Sequence, residues 1–126
     1  MPGGGGRGDG RRAVGAAGED AAAAWYEARG FRVLDRNWRV RDGEIDLVVA
    51  RGATVVFCEV KTRRSGAFGA PVEAVTAPKA RRLRTLARRW LADHPGPAGY
   101  ERVRFDVASV VPGARGWVVD VLEDAF

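Results

Sequence analysis

The chain has 126 residues, 46% of them hydrophobic, and a formal charge of +5 with a pI near 10.3. This composition suits one domain with one core and excludes a chain that is disordered throughout. The positive charge favours nucleic acid as a partner over a membrane surface. A single cysteine excludes a disulfide framework, and the sequence has neither a secretory signal nor a membrane-spanning segment, so we expect a cytoplasmic protein.

The pattern of apolar residues predicts seven elements in the order αβββαββ. Residues 1–16 are rich in glycine and arginine and are predicted to be a disordered arm. A helix is expected next over residues 17–29, because it is rich in alanine, begins with acidic residues and is followed by Gly30. The remaining elements are expected as strands over 31–40, 44–50 and 55–61, a loop over 65–70, a helix over 73–93, and strands over 102–111 and 117–122. Mixed order in a chain this short predicts one α/β domain over residues 17–126, with a mixed central sheet flanked by helices.

Charged residues interrupt the two most apolar strands, at Glu44, Asp46, Glu59 and Lys61. Side chains alternate across a strand, so the charged residues of each strand share one face. Ile45, Leu47 and Val49 are then expected to share the opposite face of the first strand, against a core. Arg104 and Asp106, in a later strand, are expected to form a structural ion pair on the polar side of the sheet.

The length of the hairpin loop decides whether the carboxylates meet. A four-residue loop at 51–54 places Asp46 opposite Glu59 and Glu44 opposite Lys61, with Cβ atoms about 4.5–5.5 Å apart. A two-residue loop would pair Glu44 with Glu59, and a three-residue loop would put Asp46 and Glu59 on different faces. Two close carboxylates repel, and a divalent cation would relieve the repulsion. A structural salt-bridge network is the alternative, which spacing alone does not separate from a metal site.

Lysine is rare in this chain, which contains 19 arginines and 2 lysines. Where the sequence needs simple positive charge, it uses arginine. Lys61, two residues after Glu59, therefore indicates a task for a compact ammonium group, such as contact with a metal-bound water and a phosphate.

The spacing of Asp46, Glu59 and Lys61 resembles the signature of the PD-(D/E)xK nuclease superfamily, which has the restriction-endonuclease-like fold. The surrounding motifs are similar to those of the YraN-like family of small bacterial proteins, whose fold resembles that of Holliday-junction resolvases. These motifs, which span most of residues 18–126, are GE at 18–19, NWR at 37–39, GEIDLV at 43–48, VFCEVKTR at 56–63, FGAPVEAV at 68–75, Lys79 and RFDV at 104–107. Three positions depart from the pattern: Ile45 stands where the superfamily has proline, Cys58 replaces a more usual valine, and Asp124 replaces an asparagine.

The resemblance implies that Asp46 and Glu59 hold Mg²⁺ or Mn²⁺, and that Lys61 orients the attacking water and stabilises charge on the phosphate. It also implies a contribution from Glu19, although an acidic residue in the first turn of a helix is favourable by itself. The implied reaction is metal-dependent hydrolysis of a phosphodiester bond in DNA, with branched and single-stranded DNA among the substrates.

The predicted nucleic-acid contacts lie near the acidic cluster in sequence, at Arg39, Arg41, Thr62 and Arg63. The arginines of the second predicted helix are interpreted mainly as a solvated face. A non-catalytic nucleic-acid-binding or adaptor protein that keeps the fold is the alternative function. RNA is an alternative substrate, because no feature of the sequence recognises a 2′-hydroxyl, and a homodimer is left open.

Overall fold

The computed structural model describes residues 7–64, 76–96 and 99–126. Helices and strands follow one another in the predicted order αβββαββ. The elements are α1 (Arg7–Glu27), β1 (Arg32–Val40), β2 (Gly43–Arg51), β3 (Thr54–Thr62), α2 (Ala77–Asp93), β4 (Arg102–Gly113) and β5 (Gly116–Leu122). The predicted α/β class with a mixed sheet is therefore confirmed. Within these three stretches of chain, neither helix is long and apolar enough to cross a membrane.

The five strands form one sheet in the order β1-β2-β3-β4-β5. Pairs β1–β2, β2–β3 and β4–β5 are antiparallel, whereas β3 and β4 run parallel. A parallel pair needs a crossover connection, and α2 lies in that connection. The crossover carries α2 to one face of the sheet, opposite the face that α1 covers.

Each helix closes a separate core against the central strands. The α1 core contains Ala22, Tyr26, Leu47, Val49, Val56 and Cys58, among others. The α2 core contains Val48, Val55, Phe57, Leu83, Leu86 and Trp90, among others. The buried residues of α2 recur at helical spacing and form one apolar stripe. Because β2 and β3 are apolar on both faces, they are buried between the two helices.

Both helices differ from their predicted limits. α1 begins at Arg7 instead of residue 17, so residues 7–16 of the predicted arm are helical and residues 1–6 lie outside the described chain. Ala and Arg extend a helix readily once a turn has formed, which outweighs the glycines of this segment. α2 begins at Ala77, because the Thr76 side chain caps it and Pro78 suits its first turn. Residues 73–75 of the predicted helix lie outside the described residues. The predicted loop at 65–70 lies outside the described residues.

The predicted alternation of β2 fails at Ile45. Leu47 and Val49 face α1 as expected, but Ile45 belongs to the α2 core. The β2–β3 ladder ends at Leu47, and one residue earlier the Asp46 carboxylate accepts the N–H of Val60 at 2.9 Å. A side chain thus takes the place of a backbone acceptor where the alternation changes.

A buried polar network ties α1 to β4 and to the C-terminal segment. Asp106 is fully buried and accepts two hydrogen bonds from the Arg104 guanidinium, both 2.9 Å long. It also accepts the Tyr26 hydroxyl at 2.5 Å and the N–H of Asp124 at 2.9 Å. The predicted ion pair is therefore present, but it lies beneath α1 and not on a polar face. Asp106 can be buried there because Tyr26 and Asp124 donate the remaining hydrogen bonds to its carboxylate.

Candidate functional site

The β2–β3 hairpin has the register that was expected to bring Asp46 and Glu59 together. Ala50 pairs with Val55, as the four-residue loop predicted, and Arg51 pairs with Thr54, which leaves Gly52 and Ala53 at the tip. Gly52 has φ +58°, a conformation that glycine adopts without steric cost. The ladder runs to Leu47 and Cys58, and Asp46 and Glu59 are the next residue on each strand.

Asp46 and Glu59 interact directly at the far end of this hairpin. Glu59 is 9% exposed and Asp46 is half-buried. Burial, and then the charge and hydrogen bonding of Glu59, raise the pKa of Asp46 to about 8, while the N–H of Val60 partly opposes the rise. Asp46 therefore binds a proton near neutral pH when no cation is present.

Lys79 contributes a cation to this acidic pair, a role that the sequence reasoning missed. Its Nζ forms an ion pair with Glu59 Oε2. Lys79 is the third residue of α2, and its N–H donates to Thr76 Oγ1, so the helix cap fixes its position. The rarity of lysine that singled out Lys61 applies equally to Lys79, the other lysine of the chain, and this signal could have found it.

A groove of about 250 Å³ lies over the acidic pair, between α2 and the β1–β2 turn. Its lining includes Glu44, Asp46, Glu59, Lys79 and Arg82. The start of β2 approaches α2 closely, since a Cβ built on Gly43 would lie 3.1 Å from Leu86 Cδ1 and 3.6 Å from Arg82 Cδ. We call this space the acidic groove.

Glu19 and Lys61 line a neighbouring groove of about 720 Å³ at the end of β3 that α1 covers, together with Thr62 and Arg64. Glu19 accepts a hydrogen bond from Asn37 Nδ2 at 2.8 Å, and its charge contributes to the raised pKa of Asp46. Lys61 is exposed and forms no salt bridge to a carboxylate within the described residues. The structure thus joins Asp46 and Glu59 to Lys79, whereas Lys61 and Glu19 both line the second groove.

The four residues predicted to contact nucleic acid lie in different places around the two grooves. Arg39 Nε lies 3.3 Å from Glu44 Oε2 at the edge of the acidic groove, and Arg41 is exposed in the β1–β2 turn. Thr62 packs against α1, since a Cβ built on Gly18 would lie only 2.8 Å from Thr62 Cβ. Arg63 extends the sheet through a 2.9 Å hydrogen bond from its N–H to the Val110 carbonyl.

The donor set of the acidic groove fits a hard divalent cation. Carboxylate oxygens are preferred by Mg²⁺ and Mn²⁺, and Mg²⁺ is commonly held by one or two carboxylates with water and phosphate oxygens completing the shell. Across residues 7–64, 76–96 and 99–126, no three His, Cys, Asp or Glu side chains converge as a metal cage. Asp46 and Glu59 would therefore hold such a cation together with oxygens from water or substrate.

Comparison with known proteins identifies the family to which this sequence is similar. The uncharacterised protein family UPF0102 matches residues 18–110. A UPF0102 protein of Beutenbergia cavernae is 57% identical over 104 residues, which cover 82% of this chain and 86% of that protein. A UPF0102 protein of Frankia casuarinae is 50% identical over 115 residues, covering 90% and 96%. One from Anaeromyxobacter dehalogenans is 50% identical over 109 residues, covering 86% and 80%. Asp46, Glu59 and Lys79 all lie within the matched segment.

Proposed function

The chain belongs to the uncharacterised protein family UPF0102, as its motifs predicted, and on that premise we propose that it is a metal-dependent nuclease that hydrolyses phosphodiester bonds in DNA. The observation that carries the proposal is the acidic groove. Two carboxylates that repel each other lie there at one end of a hairpin, with cationic side chains from α2 beside them. A site of this kind suits a divalent cation and the phosphate that the cation would bind.

The residues of the groove would have different roles in the reaction. Asp46 and Glu59 would hold Mg²⁺ or Mn²⁺, which when bound supplies Lewis acidity and a more acidic water. The Val60 N–H orients the Asp46 carboxylate through its 2.9 Å hydrogen bond. Lys79 and Arg82 place positive charge where a phosphodiester would enter, which stabilises the charge that builds up on its oxygens.

One flank of α2 extends this positive charge beyond the groove. Arg82 lines the groove, and Arg89 follows seven residues later on the same stripe of the helix, about 10.5 Å further along the axis. Arg84 lies on the other flank, 5.8 Å over the Phe126 ring. We therefore expect the nucleic-acid backbone to run along the flank of Arg82 and Arg89, with Arg39 and Arg41 facing it across the groove.

A second candidate function, nucleic-acid binding without catalysis, is favoured by one contact. The ion pair of Lys79 with Glu59 neutralises Glu59 without any metal. A protein that only binds nucleic acid would keep this pair and would be indifferent to divalent cations at fixed ionic strength.

The test is a cleavage assay on labelled four-way junction, flap, single-stranded and duplex DNA, with RNA as a fifth substrate. Each is incubated with Mg²⁺ or Mn²⁺ and with wild-type, Asp46→Asn or Asp93→Asn protein. Asp93 is exposed at the end of α2 and is the matched control. We expect metal-dependent cleavage that Asp46→Asn reduces to background and Asp93→Asn leaves unchanged. Cleavage that survives Asp46→Asn contradicts the proposed site, and binding without cleavage favours the second candidate.

A further inference from the structure

The acidic groove already contains a cation of its own. Lys79 Nζ is paired with Glu59 Oε2, although Glu59 is only 9% exposed. A carboxylate this deeply buried is costly to leave charged without a partner, so the ammonium stabilises it. A divalent cation on the same oxygens would meet the positive charge of the ammonium at short range, where like charges repel.

We propose that Lys79 fills the cation position of the acidic groove before metal binds, and that a divalent metal displaces its ammonium from Glu59. This inference rests on the proposed function, since it requires the acidic pair to bind metal. The released ammonium remains in the groove beside Arg82, where it can contact a phosphate oxygen of the substrate. One lysine thus stabilises the metal-free site and then serves the bound substrate.

The placement of Lys79 supports this exchange. The residue lies in the first turn of α2, whose backbone is fixed by the Thr76 cap, while its long side chain reaches down to β3. The side chain is 34% exposed, so the ammonium has open space to move into when it leaves Glu59. Lysine suits such a change because its flexible stem carries a point charge with rotatable donors, whereas arginine is held by its planar fork.

The chain contains only two lysines, which allows a direct test. Protein labelled with ¹³C at the lysine ε-carbons gives two side-chain signals, and Lys61→Met assigns them. The labelled protein is titrated with Mg²⁺ while calorimetry measures Mg²⁺ binding to the same sample. We expect the Lys79 signal to shift in proportion to the occupied fraction, and the Lys61 signal to change less.

The outcomes separate this inference from the proposed function. Mg²⁺ binding with an unchanged Lys79 signal overturns the displacement and leaves the metal site intact. Absence of Mg²⁺ binding by calorimetry overturns both. A movement of the two lysine signals by the same amount also counts against displacement, because it reports a general effect of the charge.

Affinity of the variants gives an independent measure. Lys79→Met removes the competing ammonium and keeps the aliphatic stem, so it should bind Mg²⁺ several-fold more tightly than wild type. Lys61→Met removes the same charge from the neighbouring groove and should change the Kd less. Equal or weaker binding by Lys79→Met contradicts the proposal. If Lys79→Met does not fold, Lys79→Arg is measured in its place; its planar guanidinium should be harder to displace from Glu59, so it should bind Mg²⁺ more weakly than wild type, and equal or tighter binding contradicts the proposal.

Discussion

At the scale of a single residue, the pKa of Asp46 is set by interactions of opposite sign. Its Oδ2 accepts the Val60 N–H, which favours the carboxylate, while burial and Glu59 disfavour it and raise its pKa from 3.8 to about 8. Glu19 from α1 adds to the rise, and Lys79 from α2 pairs with Glu59 beside it. The proton that Asp46 binds in the folded chain is therefore linked to stability.

The stability of the metal-free protein should fall as the pH rises from about 4 to about 8. Because the pKa is raised on folding, the native state binds more protons than the unfolded state between about pH 4 and about pH 8. The contribution is fully present below that window and is lost as the pH rises through about 8. Thermal unfolding in the presence of EDTA measures it, as the difference in Tm between wild type and Asp46→Asn at each pH. The Tm of Asp46→Asn should decline less over the window, and parallel curves would contradict the assignment.

The sequence predicted the two carboxylates of the site but not its ammonium. Asp46 and Glu59 follow from strand alternation and hairpin register, which are local and have a fixed period. The strand pattern also put Lys61 on the face of Glu59, yet Lys61 lies in the neighbouring groove. Lys79 reaches Glu59 only because the crossover lays the first turn of α2 over the end of β3. That placement comes from packing of the α2 core, and no local spacing encodes it.

The strands were predicted to within two residues at each end, because alternating apolar residues and β-branched side chains mark them clearly. At the scale of elements, the departures from prediction in α1 and at Ile45 have specific causes. α1 extends through a segment whose glycines disfavour a helix, because its alanines and arginines propagate the helix that the following residues form. Ile45 changes faces because a side chain, that of Asp46, bonds to the backbone of β3.

The packing of α1 on β3 gives the first prediction at this scale. Gly15 and Gly18 both lie within α1, where alanine ordinarily stabilises a helix by about 1 kcal/mol relative to glycine. Among the residues that the structure describes, a Cβ on Gly15 would meet no atom within 4 Å, whereas one on Gly18 would overlap the Thr62 side chain. We expect Gly15→Ala to stabilise the protein, and Gly18→Ala to destabilise it by about 1–3 kcal/mol through overpacking. Urea unfolding followed by circular dichroism measures both variants, and stabilisation by both would show that α1 does not approach Thr62 this closely.

The two flanks of α2 give the second prediction. Arg82 and Arg89 lie on the flank of the acidic groove, and Arg84 and Arg88 lie away from it on the opposite side of the exposed surface. The slope of log K against log salt is negative, and loss of two phosphate contacts should reduce its magnitude by about 1.5, since each contact contributes about 0.7–0.9. Arg82→Ala with Arg89→Ala should show this decrease for single-stranded or duplex DNA.

The matched control removes the same charge from the same helix. Arg84→Ala with Arg88→Ala should leave the slope nearly unchanged, because only contacts with phosphate release counterions. Fluorescence anisotropy of labelled DNA with Mg²⁺ in the Asp46→Asn background measures binding without cleavage. Equal effects of the two double variants would indicate that net charge alone attracts the nucleic acid.

At the scale of the whole molecule, one buried carboxylate connects elements that are distant in sequence. Asp106 in β4 binds Tyr26 of α1, Arg104 of its own strand and the N–H of Asp124 near the C-terminus. Burial, and then the nearby Cys58 and Asp106, raise the pKa of Tyr26 above its ordinary range, so its hydroxyl remains a donor. The position of α1, and with it that of Glu19, therefore depends on β4 as well as on β3.

Loss of this carboxylate should destabilise the whole domain. Asp106→Ala removes both 2.9 Å hydrogen bonds of the buried Arg104 guanidinium, which keeps only its 3.9 Å ion pair with Glu123, and it leaves the Tyr26 hydroxyl without an acceptor. Removing one partner of a buried ion pair typically costs about 3–5 kcal/mol, out of a total stability of about 5–15 kcal/mol. Asp20→Ala is the control, because the exposed ion pair of Asp20 with Arg36 is of a kind that contributes at most about 1 kcal/mol.

Denaturant unfolding, followed in parallel by tryptophan fluorescence and circular dichroism, tests both the size and the extent of this effect. If Asp106 connects α1 to the sheet, Asp106→Ala should lower the unfolding midpoint markedly, and the fluorescence and circular dichroism transitions should separate as α1 detaches before the strands unfold. Asp106→Asn, which keeps the shape of the side chain, should fall between wild type and Asp106→Ala and gives a value if the alanine variant does not fold. A midpoint no lower than that of Asp20→Ala would mean that the two cores alone hold α1 in place, because their apolar contacts would then outweigh the buried network.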